Sequence, residues 1–250
     1  MSRFSGKVVL VTGAASGMGR ATALRLAAEG ALVYALDVNA PGLEETLDSI
    51  RKSGAEARGG VHDVRTRAAC REAVAACVSR FDRLDVLLNV AGVIRFGHVP
   101  EVSEEDWNLQ IAVNLSGPFF LSQEAIPHLL KVGGNIVNIA SNAGLMGQAY
   151  TVAYCASKAG LINMSRAMAM EFAKSGVRIN CVAPAGTATE MLSGISWPEG
   201  LDDQLMARYR GFRGMSPAED IVNVIAFLAS DEAKAVHGAV WEADQGVTAG

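Results

Sequence analysis

A chain of 250 residues with 50% hydrophobic and 19% charged content is long enough for one sizeable core and short for two, so a single domain over 1–250 is expected. The formal net charge of −4, without any block of like charges, excludes a basic field for nucleic acid. No run of 18 or more apolar residues occurs and the N-terminus lacks the apolar core of an export signal, so a soluble, cytoplasmic protein without membrane contact is expected.

The first β-branched run, 7–12, reads as a strand and leads directly into "TGAASGMG", where Gly13, Gly17 and Gly19 open a helix. Further strands are expected at 31–36, 55–61, 84–89, 134–140, 177–183 and 239–243, with helical patterns between them. Several are nearly continuous apolar runs, as in "KVVLVT" and "VRINCVA", which suits strands buried on both faces of a parallel sheet. Ser103-Glu104-Glu105-Asp106 reads as a capping box, Ser216-Pro217-Ala218-Glu219 as a helix start with proline first, and Ser175-Gly176 as a glycine-capped helix end. Strand alternating with helix implies an α/β fold: a doubly wound, Rossmann-type parallel sheet of seven strands with helices on both faces. The four cysteines (Cys70, Cys77, Cys155 and Cys181) show neither C-x-x-C spacing nor a histidine cluster, so no metal site or disulfide is expected and they read as small buried hydrophobes.

The glycine turn supplies positions without side chains where a backbone must turn tightly and approach a pyrophosphate, whose charge a helix N-terminus favours. The spacing G-x-x-x-G-x-G differs from G-x-G-x-x-G, and turns alone explain many such clusters; the strand before, the helix after and the acid Asp37 at the end of strand two strengthen the nucleotide reading. A carboxylate there can accept from adenosine ribose hydroxyls and would repel a 2′-phosphate, which points to NAD rather than NADP. Ser16 and Val38 add no cation for such a phosphate. A solvated acid at a strand end is the blander alternative.

In "TVAYCASKAG", Tyr154 and Lys158 stand at i and i+4, on one helix face. An ammonium beside a phenol stabilises its anion and lowers its pKa, so the pair can trade a proton with an alcohol or carbonyl oxygen while hydride passes to or from a nicotinamide. A surface tyrosine beside a solvated lysine is the alternative.

Thr12-Gly13, Gly17 and Gly19, then Asn89-x-Ala91-Gly92, Asn114, Ser141 and Tyr154-x-x-x-Lys158 resemble, in order and spacing over essentially the whole chain, the short-chain dehydrogenase/reductase family of the 250-residue type. The resemblance implies Tyr154 as catalytic acid/base, Lys158 as the residue that lowers its pKa and holds the nicotinamide ribose, Ser141 as the hydrogen-bond partner of the substrate oxygen, and Asn114 as the member that orders a relay water. It implies NAD contacts from Gly13, Ser16, Gly17, Met18 and Gly19 in the turn and from Asp63 and Val64 at the adenine edge. Asn89, Ala91 and Gly92 should lie beneath the ribose, with Pro184, Thr187 and Thr189 by the nicotinamide. Two positions depart from the family pattern: Val90 replaces a second asparagine, and Ala185 follows Pro184 where glycine is usual, with Gly186 one place later. A homotetramer is implied likewise.

Ligands of open α/β sheets bind beyond the carboxyl ends of the strands. The loops expected there hold Ile94, Arg95 and Phe96, then Leu145, Met146, Gln148 and Tyr150, and a long segment over 190–215 that reads as a lid. Its Met191, Leu192, Ile195, Trp197, Leu201, Met206, Tyr209 and Phe212 suggest an apolar cover, whereas Arg208, Arg210 and Arg213 suggest an anion site or merely a solvated face. The reading that results is an NAD-dependent oxidoreductase interconverting a secondary alcohol and a ketone. A 3-oxoacyl thioester reductase and a non-catalytic dinucleotide sensor are the alternatives.

Overall fold

The computed structural model describes residues 2–189, 195, 197–207, 209 and 213–249. In chain order these form β1 (Val8–Thr12), α1 (Gly17–Ala28), β2 (Leu32–Asp37), α2 (Ala40–Lys52), β3 (Ala57–Val61), α3 (Arg67–Phe81), β4 (Val86–Asn89), α4 (Glu104–Ile111), α5 (Gly117–Val132), β5 (Asn135–Ile139), α6 (Val152–Glu171), β6 (Arg178–Pro184), α7 (Asp203–Ala207), α8 (Ala218–Ala229) and β7 (Val240–Ala243). The seven strands make one parallel sheet in the order β3-β2-β1-β4-β5-β6-β7. Thr187–Ala188 and Ser216–Pro217 pair separately as a two-residue parallel ladder.

β1 shows why the apolar runs are continuous. Val9 and Val11 enter the core on one face, with Leu26, Ile221 and Ile225, while Val8 and Leu10 enter the other, with Leu121, Leu129 and Val74. Each such valine or leucine contributes about 1.5–3 kcal/mol by leaving water, and a strand covered on both faces needs them at every position. The order reverses between β1 and β4, the nearest neighbours at the centre, so the loops leaving their carboxyl ends diverge and open a crevice.

Three local expectations need correction or refinement. α6 ends at Glu171, not at Ser175-Gly176; Gly176 lies outside the left-handed region, and the Ser175 hydroxyl donates to Phe172 O (2.8 Å) and accepts from Val177 N (3.1 Å), so a serine closes the turn. Pro217 is the residue before α8 rather than its first, because Ser216 and Pro217 are engaged in the ladder with Thr187 and Ala188. Ser103 does cap α4, accepting from Asp106 N at 3.0 Å, but its hydroxyl also meets Asp106 Oδ2 at 3.1 Å. Cys70, Cys77 and Cys181 are buried as expected, while Cys155 is only half-buried. Among the described residues, no helix is long and apolar enough to cross a membrane.

Candidate active site

At the crevice lies a cavity of about 480 Å3. Gly13, Ser16, Gly17, Met18 and Gly19 line it from the first turn, Asp37 from β2, and Asp63 and Val64 from the loop after β3. Ala91, Gly92 and Thr189 stand on its walls too, whereas Asn89, Tyr154, Lys158, Pro184 and Thr187 of the expected cofactor set do not line it.

The turn is shaped by close approach. Gly13 has φ +69°, and a Cβ there would come within 2.9 Å of Ala91 Cα; a Cβ on Gly19 would fall 2.0 Å from Gly13 O. Thr12 Oγ1 accepts from both Val90 N and Ala91 N at 2.9 Å, which pins the end of β1 to the end of β4. That role of Thr12 is not signalled in sequence beyond its place before Gly13. Ser16 precedes α1 without a side-chain cap, and the N-terminal end of this 12-residue helix carries the positive end of its dipole beside the cavity.

Asp37 is held by two backbone donors, Ala15 N on Oδ2 and Asn39 N on Oδ1, both at 2.9 Å. Its neighbour Val38 is 64% exposed. Asp63 is clamped by Arg65, whose guanidinium lies 2.5–2.9 Å from its oxygens and holds the carboxyl below its ordinary range.

A second cluster stands beyond β5. Ser141 accepts from Ala143 N (3.1 Å) and caps the short turn Asn142–Gly144, and its hydroxyl is 3.4 Å from Pro184 O. Tyr154 stands in the first turn of α6, with its phenol within the influence of the Ser141 hydroxyl. One turn on, Lys158 is 3% exposed; its Nζ donates to Ile139 O at 2.8 Å and lies 5.6 Å from the centroid of the Tyr154 ring. Burial pushes the phenol up to about 12, with the nearby Ser141 hydroxyl pulling the other way, and burial pushes the ammonium down to about 8. Desolvation is the largest cause of both shifts, so in this structure the phenol lies above its ordinary value rather than below it.

Asn114 is fully buried at the centre of a π turn, Ala112–Ser116, between α4 and α5. Its Oδ1 accepts from Val93 N (2.9 Å) and its Nδ2 donates to Val93 O (2.8 Å) and Ser157 Oγ (3.1 Å). The side chain therefore splices the loop after β4 to the helix layer that carries Tyr154.

Other expected residues sit elsewhere. Asn89 does not line the cavity; it is 2% exposed, and its amide donates to Asn138 Oδ1 at 2.7 Å inside the sheet, because a side chain at that strand position points into the core. Pro184 ends β6 opposite Ala243. Thr187 is buried, donating to Ala185 O at 3.1 Å, and Thr189 alone of the two threonines reaches the cavity. Sequence reasoning missed Asn142, 2% exposed, whose Oδ1 accepts from Gln148 Nε2 (3.0 Å) while its Nδ2 has no partner among the described residues. An asparagine directly after Ser141 was the available signal.

On the substrate side, described residues of the 190–215 segment rest on the loops after β4 and β5. The Phe96 and Trp197 rings meet tilted, with centroids 4.6 Å apart, His98 Nε2 meets Glu199 O at 2.9 Å, Asp202 N donates to the Tyr150 hydroxyl at 3.0 Å, and the Tyr209 hydroxyl donates to Ala149 O. Arg213 is exposed. Met191, Leu192, Arg208, Arg210 and Phe212 lie outside the described residues.

Comparison with known proteins agrees with this construction. The family model described as short chain dehydrogenase matches residues 7–199. The chain is 42% identical over 248 residues to a meso-2,3-butanediol dehydrogenase of Serratia marcescens, covering 99% of this chain and 96% of the relative. It is 40% identical over 250 residues to a 3-oxoacyl-[acyl-carrier-protein] reductase of Thermotoga maritima, covering 98% and 99%. The crystal structure of a dehydrogenase/reductase from Sinorhizobium meliloti 1021 superposes with a TM-score of 0.88 at 32% identity, covering 98% of this chain and 97% of that one.

Proposed function

The chain belongs to the short-chain dehydrogenase family, and from that premise we propose that it interconverts a secondary alcohol and a ketone by hydride transfer with NAD. The observation that carries the reading is the buried Lys158 ammonium 5.6 Å from the Tyr154 ring, one turn along the same helix, with the buried Ser141 hydroxyl just past β5 close enough to act on the phenol.

The cavity walls suit a dinucleotide. Where Gly13 meets Ala91 and Gly17 meets Thr189, a Cβ would lie 2.9 Å and 3.3 Å from its neighbour, so the backbone itself forms the cradle, at the N-terminus of α1. Asp37 keeps lone pairs for two ribose hydroxyls after its bonds to Ala15 N and Asn39 N, and its charge opposes a 2′-phosphate. A bound nicotinamide supplies the hydride donor or acceptor.

In reduction, the neutral phenol of Tyr154 gives its proton to the carbonyl oxygen as hydride reaches the carbon, while Ser141 hydrogen-bonds that oxygen; in oxidation, the phenolate of Tyr154 takes the alcohol proton as hydride leaves. Lys158 holds the ribose beside the phenol, and Asn114 fixes the loop after β4 that faces them. The butanediol dehydrogenase relative supports a small secondary alcohol or diol as substrate. Contacts of Trp197, Glu199 and Asp202 with the two loops support 190–215 as a lid of a single domain. Exposed Trp107, Phe119 and Met170 on α4, α5 and α6 support helix pairing in a cytoplasmic homotetramer.

The test is NADH formation from a panel of secondary alcohols and vicinal diols, meso-2,3-butanediol included, with NAD and NADP side by side. NAD-dependent turnover is expected, and a strong NADP preference removes the cofactor assignment. The Thermotoga relative favours a second reading, thioester reduction; efficient NADPH-dependent reduction of acetoacetyl-CoA without alcohol turnover would select it.

A further inference from the structure

β6 and β7 end side by side, with Pro184 opposite Ala243. Two segments leave that edge together: 185–189, which carries Thr187 and Thr189, and the C-terminal turn that begins at Asp244. Ser216, only 4% exposed, stands between them. Its N–H donates to Gly186 O at 3.0 Å, it lies in register with Thr187, and its hydroxyl accepts from Gln245 Nε2 at 2.6 Å.

The turn is built to aim Gln245. That residue has φ +56°, an uncommon conformation for a residue with a side chain. Asp244, 3% exposed, enforces it: its carboxylate accepts from Gly246 N (2.9 Å), Thr248 N (2.8 Å) and Thr248 Oγ1 (2.5 Å). Gln245 itself does not line the cavity, whereas Thr189 does, with its Cβ 3.3 Å from where a Cβ of Gly17 would stand. A small displacement of 186–189 therefore changes the cavity wall directly.

We propose that Gln245 is a positioning residue for the cofactor: through Ser216 it fixes the 186–189 segment, and so sets Thr187 and Thr189 against the nicotinamide half of the dinucleotide. The inference rests on the nicotinamide reading given above. It also accounts for how a loop with Ala185 in the place where relatives usually have glycine is held: an external clasp replaces the freedom that glycine would give.

The test compares two ligands in titrations of the full chain. NADH carries the nicotinamide, and ADP-ribose lacks it. Gln245→Ala should raise the Kd for NADH about tenfold, as expected for loss of one ordering hydrogen bond, and leave that for ADP-ribose within about twofold. Gln245→Glu should restore NADH binding to within about threefold, because the Ser216 hydroxyl can turn and donate to a carboxylate of the same reach. If Gln245→Ala does not fold, Ser216→Ala is read in its place, with the same pattern expected. Equal weakening of both ligands, or no change in either, overturns the proposal, since a role in stability alone would not separate the two halves. Absence of NADH binding by the unaltered protein overturns the cofactor reading and this inference with it, whereas normal binding there confines a failure to Gln245.

Discussion

The carboxylate of Asp37, at the end of β2, accepts the backbone N–H of Ala15 at 2.9 Å in the glycine turn that follows β1. One side chain thus both braces the turn and sets the charge at the cavity rim. Asp37→Ser should raise the NADP-to-NAD ratio of kcat/KM by at least about tenfold, the scale of removing one close like-charge repulsion. Adding Val38→Arg should raise it further, since residue 38 is exposed and a guanidinium there can grip a phosphate. An unchanged ratio from initial rates removes the carboxylate argument.

Asn114→Ala removes the partner of both the N–H and the carbonyl of Val93, which is half-buried at the cavity wall, and a donor to the buried Ser157 hydroxyl. Unfolding free energy should fall by about 1–2 kcal/mol, the usual net loss of one or two hydrogen bonds to partly buried groups, and turnover should fall with it because the loop after β4 loses its splice to α6. Asn114→Asp should not rescue: a carboxylate can accept from Val93 N but sets an oxygen against Val93 O. Denaturant unfolding beside steady-state rates checks both, and a wild-type midpoint in Asn114→Ala would show that the splice carries no stability.

The sheet was legible because its signals are local: alternating entry of Val8, Val9, Leu10 and Val11 into two cores requires the continuous apolar run that marks β1. The glycine turn was legible too, since Gly13 and Gly19 occupy positions where no Cβ fits. What escaped depends on long-range partners. Asn89 looks like a cavity residue until Asn138, 49 positions away, claims its amide. The end of α6 reads as a glycine cap, but Ser175 closes it through its hydroxyl. Burial, which no local spacing encodes, decides that the Tyr154 phenol moves up and not down.

Burial of Lys158 also gives stability a defined pH dependence. Its folded pKa, about 8, lies below its ordinary 10.5, so between these values the unfolded chain binds a proton that the folded one has released. Stability from this group is therefore present in full above about 10.5 and is lost as pH falls through about 8. Lys158→Met lacks the titration. The difference in unfolding free energy between wild type and variant should shift in favour of wild type by about 3 kcal/mol from pH 7 to pH 10.5. A difference independent of pH in denaturant titrations would mean that the ammonium is solvated.

The Tyr154 phenol, pushed up to about 12, stays protonated through neutral pH. It is then ready to donate, so ketone reduction should change little between about pH 6 and pH 9. Alcohol oxidation needs the phenol as a base, and the ionised fraction of a group with so high a pKa grows about tenfold per pH unit. Oxidation rates should accordingly climb across that range, with a slope on a logarithmic plot approaching one. Tyr154→Phe keeps the ring and removes the proton site: kcat should fall by about a thousandfold or more in both directions, with the Kd for NADH changed little. A variant that retained the oxidation slope would transfer the proton to another group. A wild-type oxidation profile that is flat from neutrality would instead mean that a positive charge close to the bound phenol offsets the desolvation that dominates in this structure.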